Sequence, residues 1–161
     1  MIKVDSNFVD QISKKAKTSA RRRMNYNYHK QYDDTLQRLL NAVEPYSYIQ
    51  PHKHEDPDKR EIFFLLKGSV LVVEFDDLGN IADHVVLSLE SGNLIAEIAE
   101  RTWHCILALE PSSVVYEFKD GPYVPVTDKN FATWAPKEGN SNCNEYIDTI
   151  LNKLNLHIKS T

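Results

Sequence analysis

The sequence has few cysteines, no excess of positive charge and no long hydrophobic run. Its 161 residues carry a formal net charge of −4 and include only two cysteines. Cys105 and Cys143 lie far apart without a CxxC spacing, which favours reduced, buried thiols over a disulfide. The acidic balance argues against a non-specific nucleic-acid binder, because phosphate contacts require a broad basic surface. The single basic run, Arg21 to Arg23, is more typical of a solvated or pocket-lining strand end.

No stretch of the sequence is suited to a membrane. The longest apolar runs, such as residues 62–66, are far too short to span a bilayer. The chain opens Met-Ile-Lys-Val-Asp-Ser-Asn, without an apolar signal-peptide stretch behind it. We therefore expect a cytoplasmic protein whose partners include neither a membrane nor a nucleic acid. The length predicts one domain, residues 1–161, with a core of its own.

Residues 1–45 are predicted to form an N-terminal arm of helix, strand and helix. Asp5 or Ser6 can cap the first helix, whose apolar positions recur at helical spacing. Residues 21–29 alternate between polar and apolar side chains, which predicts a strand. Residues 33–43 are predicted to form a second short helix that ends at Pro45. The buried side of this second helix would consist of Leu36, Leu39, Leu40 and Val43.

The pattern changes to β from residue 46 to residue 119. Seven short apolar segments separated by turns predict the core of a sandwich or barrel. The predicted strands are residues 46–50, 61–66, 70–75, 84–89, 94–98, 102–109 and 113–118. Residues 120–140 are rich in glycine, proline and polar residues, which indicates an irregular segment. A last amphipathic helix is predicted at about residues 144–156.

Four side chains within the β region are candidate metal ligands: His52, His54, Glu61 and His104. His52 and His54 lie two apart, so a strand would point both into one cavity. An antiparallel barrel could bring His104 opposite Glu61 and the two histidines His52 and His54. Three neutral imidazoles and one carboxylate suit a single divalent ion, Zn²⁺, Fe²⁺, Mn²⁺ or Ni²⁺. An isolated His-x-His pair is weak evidence, but its conjunction with Glu61, a turn glycine and a third histidine favours a metal site over structural histidines.

These residues resemble the motifs of the cupin superfamily. His52, His54, Glu61 and Gly68 resemble the first cupin motif, and residues 92–104 resemble the second. Six residues separate His54 from Glu61, and three positions of the second motif depart from the usual pattern. Those positions are Ala99, Arg101 and Ala108.

A closer resemblance, to the WbuC-type cupin metalloproteins, extends over almost the whole chain. The segments that carry it are residues 21–25, 39–41, 51–54, 103–104, 121–123 and 128–131. The subfamily is often encoded among genes for lipopolysaccharide O-antigen synthesis. The resemblance implies a mainly β, double-stranded β-helix (jelly-roll) cupin barrel with bound metal, short N-terminal helices and a C-terminal helix. It implies a carbohydrate context but no particular reaction.

Several side chains are candidates for binding a substrate beside the metal. Counting strand parity from His52 carries Tyr48 and Gln50 inward. Gln50 could bond a ligand on the metal, orient a histidine or satisfy a carbonyl. Tyr116 could close the pocket or be an ordinary half-buried barrel tyrosine.

One face of the predicted strand at residues 21–29 is polar. It consists of Arg21, Arg23, Asn25, Asn27 and His29. Such a face more often meets solvent than a ligand. Arg23 and Asn25, however, lie in a segment that resembles the WbuC-type proteins. A guanidinium there could bind a substrate carboxylate or phosphate.

Three functions fit these observations. The first is a metal-dependent enzyme that acts on a small oxygenated substrate, a sugar or sugar acid. It could be an isomerase or epimerase, with Tyr48, Tyr116 or a metal-bound hydroxide as the base. It could also be an Fe²⁺ dioxygenase. The second is a non-catalytic module that binds a sugar or carboxylate or regulates a partner. In the third, the metal is purely structural.

The oligomeric state is a separate question. A homodimer could form through the face that carries Met24, Tyr26 and Tyr28, unless the terminal helices cover that face.

Overall fold

A computed structural model describes residues 1–124 and 128–159, which build two five-stranded antiparallel sheets and two helices. The elements in chain order are α1 Ser6–Thr18, β1 Arg23–Asn27, β2 Leu36–Val43, β3 His52–Lys53, β4 Glu61–Lys67, β5 Ser69–Phe75, β6 Ile81–Ser88, β7 Ile95–Ile98, β8 Trp103–Ala108, β9 Ser113–Asp120, β10 Asn130–Phe131 and α2 Cys143–Lys153. The first sheet has the order β1-β2-β9-β4-β7, and the second has the order β10-β3-β8-β5-β6. Neighbouring strands in each sheet run antiparallel, which agrees with the mainly β prediction.

The main core lies between the two sheets. Each strand places alternate side chains in it, because successive residues of a strand point to opposite faces. Phe63 and Leu65 of β4 enter the core from the first sheet, and Ile106 and Ala108 of β8 enter it from the second. Strand parity counted from Glu61 and His104 predicts this inward direction for all four side chains, and the structure confirms it.

Helix α1 covers the outer face of the first sheet. Its side chains Val9, Ile12 and Ala16 are buried against Leu40 of β2 and Val114 of β9. The helix begins where the sequence predicts, since the Asp5 carboxylate accepts a hydrogen bond of 2.9 Å from the backbone N–H of Phe8.

The apolar face of β1 lies beneath the same helix. Met24 and Tyr28 pack against the buried cluster under α1, and the ring of Tyr26 meets that of Phe8 edge to face. The chain therefore covers much of this face itself, which was one of the two outcomes left open by the sequence.

The predicted second helix at residues 33–43 is wrong, because residues 36–43 form strand β2. This strand is buried on both faces. Leu39 and Asn41 point toward the interior of the barrel, while Leu40 and Ala42 point toward α1. A strand buried on both faces reads as a nearly continuous apolar run, and four of its apolar residues happen to fall at helical spacing. The N-terminal arm is consequently helix, strand and strand.

Helix α2 covers the outer face of the second sheet. Ile147, Ile150 and Leu151 pack there against side chains of β5 and β8. Cys105 and Cys143 are both free and buried in this cluster, as predicted. Within residues 1–124 and 128–159, neither helix is long and apolar enough to cross a membrane.

Candidate metal centre

The structure brings together the four residues that the sequence indicates as ligands. One potential ligand atom from each of His52, His54, Glu61 and His104 lies within 4.8 Å of those of the other three. All four side chains are almost completely buried, with exposed fractions of 1–3%.

Both sheets contribute to this cluster. His52 of β3 is paired in register with His104 of β8, so their rings leave the second sheet side by side. His54 follows two residues after His52. Glu61 is the first residue of β4 in the first sheet, and it reaches across the barrel toward the histidines.

Backbone carbonyls determine which nitrogen of each imidazole is protonated. The Nδ1 atom of His52 lies 3.0 Å from the Gln50 oxygen, and that of His104 lies 2.9 Å from the Thr102 oxygen. The Nδ1 atom of His54 is 2.5 Å from the carbonyl oxygen of Asp128. A carbonyl can only accept, so each Nδ1 donates and the Nε2 atom of the neutral ring keeps its lone pair. This tautomer is the one that binds metals through Nε2.

The Nε2 atoms converge in a way that fits a cation. Those of His54 and His104 lie 3.2 Å and 2.8 Å from one carboxylate oxygen of Glu61. The Nε2 atom of His52 is buried without a hydrogen-bond partner among the described residues. Lone pairs facing a carboxylate repel one another unless a ring takes a second proton or a cation lies between them. A divalent ion would be bound by the three Nε2 lone pairs and the carboxylate oxygen together.

The charge states agree with a ligand role. Burial, followed by the positive charge of Lys129, holds the pKa of His52 well below its ordinary value, so this ring is neutral. Burial opposes ionisation of Glu61. Hydrogen bonds that His104 and His54 would donate from a ring protonated at Nε2, together with the charge of Lys119, outweigh burial and hold the pKa of this carboxyl well below its usual range.

A cavity of about 580 Å³ lies beside the four ligands. None of the four belongs to its lining. Glu117 and Lys119 of β9 line the cavity and neighbour the ligand cluster, since the register pairs Lys119 with Glu61 and Glu117 with Phe63. The candidate centre therefore adjoins the cavity through these two charged side chains.

The polar face of β1 lines this cavity, and Asn25 and Asn27 on it also remain exposed to solvent. Its members Arg21, Arg23, Asn25, Asn27 and His29 all belong to the lining. The physical reason is α1, which takes the apolar face of β1 on the outside and leaves the polar face directed inward. Gln50 also lies on the lining, where its amide donates to the carbonyl oxygen of Ala132 at 3.0 Å.

Tyr48 and Tyr116 lie outside the cavity, contrary to their prediction as substrate-binding residues. Tyr48 is buried in the core under α2, because residues 46–50 are irregular and strand parity cannot be carried through them. Tyr116 belongs to the outward face of β9, where its ring stacks on Tyr28 at 5.6 Å. Neither phenol is therefore placed to act as a base on a ligand in the cavity.

Tyr48 offers a test of this correction. Its hydroxyl donates a hydrogen bond of 2.7 Å to the carbonyl oxygen of Pro136. We expect Tyr48→Phe to lower the free energy of unfolding by about 1 kcal/mol, the usual contribution of one such bond. Metal content should stay unchanged. Chemical denaturation and elemental analysis measure the two quantities, and a loss of metal would contradict the outward placement of Tyr48.

Sequence reasoning missed a set of charged and polar residues around the centre: Asn41, Lys59, Glu117, Lys119, Asp128 and Lys129. The Asp128 carboxylate accepts hydrogen bonds of 2.6 Å from both Lys59 and Lys119. Asn41 donates to Glu117 at 3.0 Å. Burial, with the nearby charge of Glu61 as the second cause, raises the pKa of Glu117 to about 8. Two sequence signals pointed to members of this set. One was the alternation of charged and aromatic residues along β9, and the other was the resemblance of segments 39–41 and 128–131 to the WbuC-type proteins.

Comparisons with known proteins place the fold. A family model described as a domain of unknown function (DUF6016) matches residues 4–87, just over half of the chain. A search of curated proteins finds no match.

Three solved structures illustrate the similarity. L-ribose isomerase from Cellulomonas parahominis has a TM-score of 0.54 and 14% identity, with 73% of this chain and 72% of that chain covered. L-ribose isomerase from Acinetobacter sp. DL28, solved with L-ribose, has a TM-score of 0.52 and 13% identity, with 69% and 70% covered. The capsular polysaccharide assembling protein CapF from Staphylococcus aureus has a TM-score of 0.52 and 19% identity, with 67% of this chain and 29% of that chain covered. These are cupin-fold proteins, so the predicted cupin barrel is confirmed.

Proposed function

This chain belongs to the DUF6016 family, and we propose that it is a metal-dependent cupin enzyme acting on a small oxygenated substrate, a sugar or sugar acid. The observation that carries the proposal is the convergence of three imidazoles and a carboxylate, each buried, beside a polar cavity of about 580 Å³. That volume is typical of small-molecule sites.

The carbohydrate context has two supports. The segments that resemble the WbuC-type proteins include Arg23 and Asn25, which line the cavity. Cupin-fold structures similar to this chain include an isomerase solved with L-ribose. We propose, on the resemblance, a cytoplasmic role in an O-antigen-type carbohydrate pathway.

The residues have separable roles in this proposal. His52, His54, Glu61 and His104 would hold one divalent transition metal, which supplies a Lewis acid for a substrate carbonyl or hydroxyl. Glu117 lies between the ligand cluster and the cavity, so it can reach a substrate in the cavity. A buried carboxyl that faces the cavity is placed to accept a proton from a substrate and to return it. This arrangement favours isomerisation or epimerisation, in which a proton leaves and rejoins carbon.

Glu117 provides the matching prediction. Glu117→Gln keeps the shape of the side chain but cannot carry the proton, so we expect turnover to fall by about 10²- to 10⁴-fold. Metal content should remain that of the wild type, because Glu117 is not one of the four converging donors. Glu97→Gln, which changes an exposed carboxyl of β7, is the control and should leave turnover unchanged.

The experiment is a proton-exchange screen. Protein loaded separately with Fe²⁺, Mn²⁺, Ni²⁺ or Zn²⁺ is incubated in D₂O with aldoses, ketoses and uronic acids, and NMR follows deuterium incorporation beside the carbonyl. Incorporation that requires metal and Glu117 supports the enzyme. Failure with every metal and substrate overturns it.

A second candidate is a binding module without catalysis. It is favoured by the burial of the four ligands, which do not line the cavity. In that case a metal-loaded protein would bind a sugar or sugar acid in calorimetry but show no exchange in D₂O.

A further inference from the structure

The cavity contains more cations than carboxylates, in a chain whose formal net charge is −4. At its rim, Arg21 and Arg23 share the single carboxylate of Glu138. Arg21 Nε lies 2.7 Å from Oε1, and one terminal nitrogen of Arg23 lies 2.8 Å from each oxygen. A carboxylate held by two guanidinium groups shows that this rim has the geometry to bind an anion.

The deeper wall shows the same imbalance. Lys59 and Lys119 share the carboxylate of Asp128, each at 2.6 Å. Lys129 follows Asp128 and also lines the cavity. Among residues 1–124 and 128–159, no carboxylate lies within ion-pair distance of the Lys129 ammonium. Lys129 is half-buried, and an anion in the cavity would give its ammonium a counter-ion.

A bound metal would increase the surplus. The four ligands carry one negative charge together, so a divalent ion makes the cluster positive. Lys119, paired in register with Glu61, already places another cation beside it. The loaded cavity would then carry more positive than negative charge both at the cluster and at the rim.

We infer that the cavity selects an anionic ligand, whose carboxylate or phosphate contacts Lys129 and competes with Glu138 for Arg21 and Arg23. This inference rests on the proposed function, because the metal supplies part of the charge. It makes the substrate a sugar acid or sugar phosphate rather than a neutral sugar. In the absence of a ligand, the Glu138 carboxylate binds the two arginines in place of that anion.

Calorimetry on metal-loaded protein tests the inference with matched probes: glucose, glucuronate and glucose 1-phosphate. We expect both anions to bind at least about tenfold more tightly than glucose, because a charge-assisted hydrogen bond contributes that much. The comparison of glucuronate with glucose 1-phosphate identifies which anion fits. Added salt should weaken only the charged probes.

Two variants should act in opposite directions. Lys129→Met should reduce the preference for the anions about tenfold, while Glu138→Gln should strengthen anion binding by freeing the two arginines. Lys17→Met, an exposed change on α1, is the control. Opposite effects cannot arise from a general folding defect.

Metal content measured on the same samples separates the two proposals. Equal affinity for glucose and the anions in metal-loaded protein overturns the inference alone, as does an anion preference unchanged in Lys129→Met. Absence of metal uptake by the wild type overturns the proposed function itself.

Discussion

Replacing His104 by alanine is expected to abolish stoichiometric binding of divalent metal. The ring supplies one of four converging donors, and its Nε2 atom lies 2.8 Å from the Glu61 carboxylate. Loss of a supporting residue around a metal typically costs 10- to 100-fold in affinity, so loss of a ligand should cost more than about 100-fold. Elemental analysis after purification without chelator, followed by competition with a chromogenic chelator, measures the effect.

The same change should remove the metal-dependent part of stability. Excess metal at about 1,000 times its Kd stabilises a protein that binds it only when folded by about 4 kcal/mol. Wild-type protein should therefore melt at a higher temperature with metal than with chelator, and His104→Ala should melt alike in both. His157→Ala removes an exposed histidine and serves as the control. Wild-type metal content in the His104→Ala variant would rule out the centre as described.

Gly68→Ala is expected to destabilise the fold strongly. Gly68 has a φ of +77°, and a Cβ built on it would lie 2.8 Å from the Cα atom of Ser113. Ser113 cannot move aside easily, since its hydroxyl donates to the Ser69 carbonyl at 3.0 Å and accepts from the Ser69 N–H at 3.1 Å. The left-handed backbone costs an alanine roughly 1–2 kcal/mol, and overpacking adds about 1–3 kcal/mol.

Gly92→Ala is the matched control for this prediction. Gly92 has nearly the same φ, +74°, but no atom of the described residues outside its chain neighbours lies within 4 Å of a Cβ built on it. It should therefore lose only the backbone part, roughly 1–2 kcal/mol. Urea unfolding of both variants separates the two contributions. Equal losses would show that the contact with Ser113 does not constrain position 68.

The metal ligands could be predicted from the sequence because three of the four lie close together along the chain. His52 lies in β3, His54 follows directly after that strand, and Glu61 begins β4. Only the meeting of His104 with the others required a long-range assumption, and the antiparallel barrel supplies that meeting through the β3–β8 pair.

The wall of the cavity was less accessible, because both faces of the first sheet are covered. In β9, Tyr116 and Phe118 alternate with Glu117 and Lys119, and simple polarity would place the aromatic residues inside. The structure does the reverse, since α1 covers the outer face and the charged residues surround the candidate centre. Burial of both faces also explains why the apolar pattern of β2 was interpreted as that of a helix.

The division of donors between the two sheets has a consequence for assembly of the molecule. The three histidines come from β3, the residue that follows it closely, and β8, while Glu61 comes from β4 in the opposite sheet. Neither sheet can hold an ion with full coordination before the sheets close on each other. A metal held by all four side chains would therefore be captured only after the sheets have closed, and it would then link one sheet to the other.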